Sequence, residues 1–99
     1  SMEVKNLTVL GRILGASKLK DYTTGLDTGL TGLTLGLRSE DGRFHQVNIK
    51  AGVVNISDFE SLFDEKVEVT LEDVSINPYL AGNRAALSVK AKSAFIELV

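Results

Sequence analysis

Arg43-Phe44-His45-Gln46-Val47-Asn48-Ile49-Lys50 alternates without a break. Arg43, His45, Val47 and Ile49 share one parity; Phe44, Gln46, Asn48 and Lys50 share the other. A period of two is the pattern of a half-buried strand. The chain continues through Ser57-Asp58-Phe59-Glu60-Ser61-Leu62-Phe63-Asp64. Ser57 and Glu60 have the spacing of a capping box, in which hydroxyl and carboxylate each meet a free backbone N–H at a helix start. Phe59, Leu62 and Phe63 then stand at i, i+3 and i+4, one apolar stripe. Period two returns in Lys66-Val67-Glu68-Val69-Thr70-Leu71. The spacing predicts strand, short helix over 57–64, strand.

Outward from this unit, more strands appear on both sides. Leu33, Leu35 and Leu37 alternate with Thr34, Gly36 and Arg38, and Asp41-Gly42 follows as a strong hairpin signal. Residues 2–16 read as one long first strand that Gly11 and Gly15 allow to bend. Between them, Lys18 to Gly32 is rich in Thr and Gly and reads as a mobile loop or the tip of a long hairpin. Its glycines form neither a dinucleotide fingerprint nor a phosphate loop, because no GK[ST] ending or helix signal follows. Downstream, the apolar positions change phase from Val67, Val69 and Leu71 to Val74 and Ile76, which predicts a bulge at Glu72-Asp73. Asn77-Pro78 opens a turn that runs to Arg84. Leu87, Val89 and Ala91, followed by Ala94 to Val99, supply the last strand.

Bulk properties narrow the function classes. The 99 residues make one domain over 2–99, with Ser1 before Met2 read as a tag remnant. No apolar run approaches a membrane span and no secretion signal is visible. The absence of cysteine excludes disulfides and thiolate chemistry, and fits a cytoplasmic setting. The net charge of −2 exerts no long-range pull on nucleic acid. Its distribution is uneven, however: residues 1–38 carry five basic and three acidic side chains, and residues 39–65 carry two and six. A molecule with a basic and an acidic side fits this; so does an even mixture once folded.

No catalytic constellation is present. His45 is the sole histidine and has inward parity, which suits a partly buried, hydrogen-bonded ring. The carboxylate pairs Glu40-Asp41, Asp64-Glu65 and Glu72-Asp73 fall at turns and strand ends, where they read as solvated charge rather than a metal site. A Ser or Thr nucleophile has only His45 as a base. The expectation is a protein that is not an enzyme and uses no metal or cofactor.

Five strands with a single short helix between the third and fourth is the element order of the OB-fold barrel. An all-β, five-stranded, OB-fold-like barrel is therefore the expected fold, with a β-sandwich as its rival. In layout the chain resembles the small phage-type single-stranded DNA-binding proteins, the helix-destabilising group that includes the filamentous-phage gene V proteins. The likeness lies in the bent first strand, the Tyr- and Gly-containing wing at 18–32, the Asp41-Gly42 hairpin and the late hairpin around 77–84. The helix at 57–64 and the acidic balance depart from that group's pattern. The resemblance implies coating of single-stranded DNA (or RNA) without strong sequence preference, in phage or mobile-element replication, by a homodimer or larger assembly.

Phe44 is the most informative candidate. It has the polar parity of its strand, beside Gln46, Asn48 and Lys50, where a ring can stack on a base. Packing under a loop or in a dimer contact is the plainer alternative. Arg38 and Lys50 are placed to meet phosphates next to it, and Arg12, Lys18 and Lys20 extend the track, although each alone reads as an ordinary solvated charge. Tyr22 and Tyr79, in predicted loops, either stack on bases or cover the barrel ends. Lys90 and Lys92 face outward and suit an assembly surface, while Phe59, Phe63 and Phe95 are expected in the core. A different class of function is a small β-barrel adaptor, marked by an exposed apolar patch around Leu26, Leu30 and Leu80.

Overall fold

β-Branched and leucine residues at alternate positions give five strands, each pleated with one apolar side. The computed structural model describes residues 1–38 and 40–99, residue 84 by its backbone alone. The strands are β1 (Met2–Lys20), β2 (Asp27–Arg38), β3 (Phe44–Val54), β4 (Lys66–Ala81) and β5 (Arg84–Leu98). They close into a barrel in the order β1-β2-β3-β5-β4, with β4 returning to β1. All neighbours are antiparallel except β3 and β5, which run parallel through pairs such as Ile49–Val89 and Ala51–Ala91. This is the OB-fold barrel, and closure removes most of the free sheet edge.

The inward side chains form one core: Ile13, Leu33, Leu35, Ile49, Val67, Val69, Leu71, Val74, Val89 and Ile96 are buried, with Ala51, Ala91 and Ala94 filling the narrower places. β1 bends where an extra residue, Leu14, stands between the Ile13–Leu35 and Gly15–Thr34 pairs. That agrees with the bend expected near Gly15.

The phase change in β4 is real, but its cause differs from a bulge. Pairing with both β1 and β5 keeps a constant register across residues 72–74, so no residue is inserted. Asp73 instead adopts a left-handed conformation (φ 50°), and neither neighbour pairs with it. β5 changes phase at the same level, from Val89 and Ala91 to Ala94 and Ile96. The strands turn this corner together.

Residues 57–64 do not form the expected capped helix. Only Glu60–Leu62 makes a 3-10 turn, and no side chain caps it. The backbone here is claimed by β1: Asp64 N–H donates to the Ile13 carbonyl at 2.8 Å, and Ile13 N–H donates to the Glu65 carbonyl at 3.3 Å. Of the apolar stripe, only Leu62 is fully buried, plugging one end of the barrel. Phe59 is half-buried, whereas Phe63 and Phe95 are exposed and do not belong to the core. His45 is also exposed, at the start of β3, although its pair on β2, Leu37, packs against the core. The segment 18–32 is mostly strand, and β2 starts at Asp27 rather than Leu33.

Where β3 ends, the Asn55 amide takes over its pairing. Its Nδ2 donates to the Ile96 carbonyl at 3.0 Å, and its Oδ1 accepts the Ile96 N–H at 2.8 Å. Two substitutions test these attachments by urea unfolding. Leu62→Ala is expected to cost about 2–5 kcal/mol, the range for a buried leucine whose site cannot fully collapse. Asn55→Ala is expected to cost about 1–3 kcal/mol by stripping partners from two partly buried backbone groups. A loss below about 0.5 kcal/mol at either site, the level of an ordinary surface change, would contradict the role given to it.

Candidate nucleic-acid interface

Neighbouring residues on a strand point to opposite sides, so the outward row of each strand follows from its core row. Register then aligns these rows around the barrel. Arg12, Gly36 and Gln46 form one row; Gly15, Thr34, Asn48 and Ser88 a second; Ser17, Gly32 and Lys50 a third. The floor of this face is therefore glycine and small hydroxyl residues, with longer polar side chains along β3. Thr34 Oγ1 donates to Asn48 Oδ1 at 3.1 Å, which fixes the amide in the middle of the face.

Phe44 lies at one end, paired with Arg38. Its ring leans over the neighbouring glycine: a Cβ on Gly36 would stand 2.5 Å from the ring's Cζ and 3.1 Å from Leu14 Cδ1. Only glycine admits the ring there. The side chain nevertheless remains 59% exposed, so it is supported from beneath and open above. Leu10, Gly11, Arg12, Gly36, Arg38, Phe44 and Lys66 line one groove. Arg12 is partly engaged, donating from Nη1 to the Asp64 carbonyl at 2.6 Å.

Two further grooves continue the face. One runs over Gly15, Ser17, Gly32, Thr34, Asn48 and Lys50. The other joins Asn48 and Lys50 to Tyr79, Leu87 and Ser88. Asn48 and Lys50 belong to both, which joins these two grooves; the Phe44 groove shares no lining residue with them, and Gln46 stands between Phe44 and Asn48 on the outward row of β3. No carboxylate lines any of the three grooves among the described residues. A patch on β4 and β5 has the opposite character. There Glu68 stands directly across from Glu97, Glu72 lies two outward positions further along β4, and the exposed Phe95 sits on the row between them.

Arg12, Arg38, Phe44, Asn48, Lys50 and Tyr79 thus meet on one surface, with Gln46 in the same outward row. Lys18, Lys20 and Tyr22 do not line it. Lys18 pairs with the buried Thr31 and so leaves the sheet on the side opposite Ser17. Tyr22 stands fully exposed at the tip of the β1–β2 hairpin. That tip is tied together: the Asp21 carboxylate accepts N–H groups from Thr24 at 3.0 Å and Thr23 at 2.8 Å. These bonds hold the Asp21 carboxyl below its ordinary range. Their contribution is present at neutral pH and disappears as the pH falls through that lowered range.

Tyr79 belongs to β4, which runs past Pro78 to Ala81 as a projecting hairpin with β5; it is not in a loop. Sequence reasoning missed Lys66, which reaches the Phe44 groove only because β1 and β4 pair Arg12 with it. It also missed the glycine floor, whose signal was the run of glycines at outward positions 32 and 36. Leu26 and Leu80 are exposed near the tips of different hairpins, and Leu30 is half-buried.

No protein-family model matches the sequence, and a search of curated proteins finds no match. Solved structures do match in fold. Similar chains include a Plasmodium falciparum SSB in complex with ssDNA, at TM-score 0.56 and 10% identity, covering 97% of this chain and 95% of that one. They also include Rim1, a mitochondrial single-stranded DNA binding protein of S. cerevisiae, at TM-score 0.55 and 17% identity, covering 99% of this chain and 97% of that one. At such identities the likeness establishes a shared OB fold over essentially the whole length of each chain.

Proposed function

We propose that this chain binds single-stranded DNA along the β2–β3 face and coats it without strong sequence preference. The observation that carries the reading is the environment of Phe44: a half-open ring seated on glycine, ringed by Arg12, Arg38 and Lys66, with no carboxylate in its groove. A base can stack on such a ring only when it is unpaired, which selects single strands over duplex. Tyr79 offers a second ring at the far end, and Arg12, Arg38, Lys50 and Lys66 stand along the track where phosphates pass.

Sequence tolerance follows from the floor. Glycines present no side chain to read base edges, and stacking accepts every base. The two similar structures are described as single-stranded DNA-binding proteins, which supports the same ligand class on the same fold. Following the resemblance to the gene V group, the setting is phage or mobile-element replication in the cytoplasm, with a homodimer as the working unit. A neutral or acidic β2–β3 face would favour the adaptor alternative, and the cations near this one favour the nucleic-acid reading instead.

The test is titration with labelled oligo-dT at several salt concentrations, with single-stranded RNA as competitor. Four phosphate contacts on a single strand give a slope of log K against log salt of roughly −3. Phe44→Ala is expected to lose about 1–3 kcal/mol of binding, the worth of one stacked base, with the fold intact. Gly36→Ala displaces the ring and is expected to weaken binding in the same direction while costing about 1–3 kcal/mol of stability from overpacking. Unchanged affinity in folded Phe44→Ala would remove stacking from the mechanism.

A further inference from the structure

We infer that the bound strand does not end at the β2–β3 face but leaves it over β5, with one phosphate held between Lys50 and Lys90 and the next reaching Lys92. This inference rests on the reading of the β2–β3 face as a polynucleotide interface. Lys50 and Lys90 occupy directly paired positions on the parallel strands β3 and β5. Each lies between buried neighbours, Ile49 and Ala51 on one strand and Val89 and Ala91 on the other, so both side chains point outward from the same place. Their strands are about 5 Å apart.

Two like charges placed directly across from one another destabilise a sheet. Neither lysine forms an ion pair among the described residues that would offset this repulsion. An anion between the two ammonium groups reverses the sign of that interaction. The ligand already placed on this face carries such an anion at every nucleotide.

The surface beyond the pair has the form of a continuation. Lys90 and Lys92 line a groove with Leu30, Gly52 and Val53, adjoining the one that ends at Lys50. Two residues along β5 place Lys92 roughly 7 Å beyond Lys90, about the step of one extended nucleotide. Gly52 allows the two backbones to approach closely in this groove, since a Cβ there would stand 2.9 Å from the Lys92 carbonyl oxygen. Asp73 also lines the groove, as its single carboxylate among the described residues, next to Ser75. Lys90 and Lys92 thus extend the cationic track onto β5 and end it there, since the next residue, Ser93, already pairs with Glu72.

Strand length separates this path from the main face. The experiment compares wild type with the K90Q/K92Q double variant on labelled oligo-dT of about 6 and about 20 nucleotides, bracketing the roughly 4–16 that an OB fold occludes. The expected result is an approximately tenfold weaker grip on the long oligomer with a salt slope shallower by about 1–2, since two phosphates are no longer neutralised. Affinity for the short oligomer stays within about twofold, since it is satisfied by the face. Equal loss on both lengths, or no loss on the long one, overturns the path while leaving the interface standing. A wild-type protein that binds neither length overturns the interface, and the path with it.

Discussion

The ring of Phe44 occupies the space that a Cβ on residue 36 would fill. This single contact joins β2 to β3 at the end of the cationic face and sets the aromatic surface at a fixed height above the sheet. A phenylalanine on a wetted strand ordinarily samples several rotamers, and ordering it on binding costs free energy. Here Gly36 leaves room beneath the ring, with Leu14 at the edge of the same space, and Arg12, Arg38 and Lys66 line the groove around it.

That arrangement is possible because the barrel closes. Parallel pairing of β3 with β5 brings Lys50 beside Lys90 and places Tyr79, far along the chain, in one groove with Asn48 and Lys50. Closure also gathers charge locally. With the apolar residues facing inward, Arg12, Arg38 and Lys66 come together around one groove, while Glu68, Glu72 and Glu97 form a patch on β4 and β5.

Much of this was legible in the sequence because it is local. Alternation around Val47 and Ile49, the Asp41-Gly42 turn and the late hairpin each declare themselves within ten residues, and their order gives the barrel. Gly42 indeed adopts φ +83° at the predicted turn. The outward parity of Phe44, Asn48 and Lys50 is equally local. What failed depended on distant partners. The Ser57–Glu60 box predicted a helix from its own residues, whereas β1 captures the Asp64 and Glu65 backbone and leaves room for one 3-10 turn. Phe63 and Phe95 look like core residues by type, yet the barrel interior is already filled by smaller aliphatic side chains. Lys66 entered the groove through register with β1 and has no signal within its own segment. The phase change at Asp73 was visible locally, but its cause, a corner shared by adjacent strands, was not.

The most direct measurement is a titration of the ¹³C-labelled protein with oligo-dT, followed in the aromatic region of the NMR spectrum. The account predicts that the ring resonances of Phe44 and Tyr79 shift, through ring currents of stacked bases, while those of Phe95 on the acidic side stay where they are. Movement of Phe95 with Phe44 and Tyr79 unaffected would place the ligand on the wrong face and contradict the account.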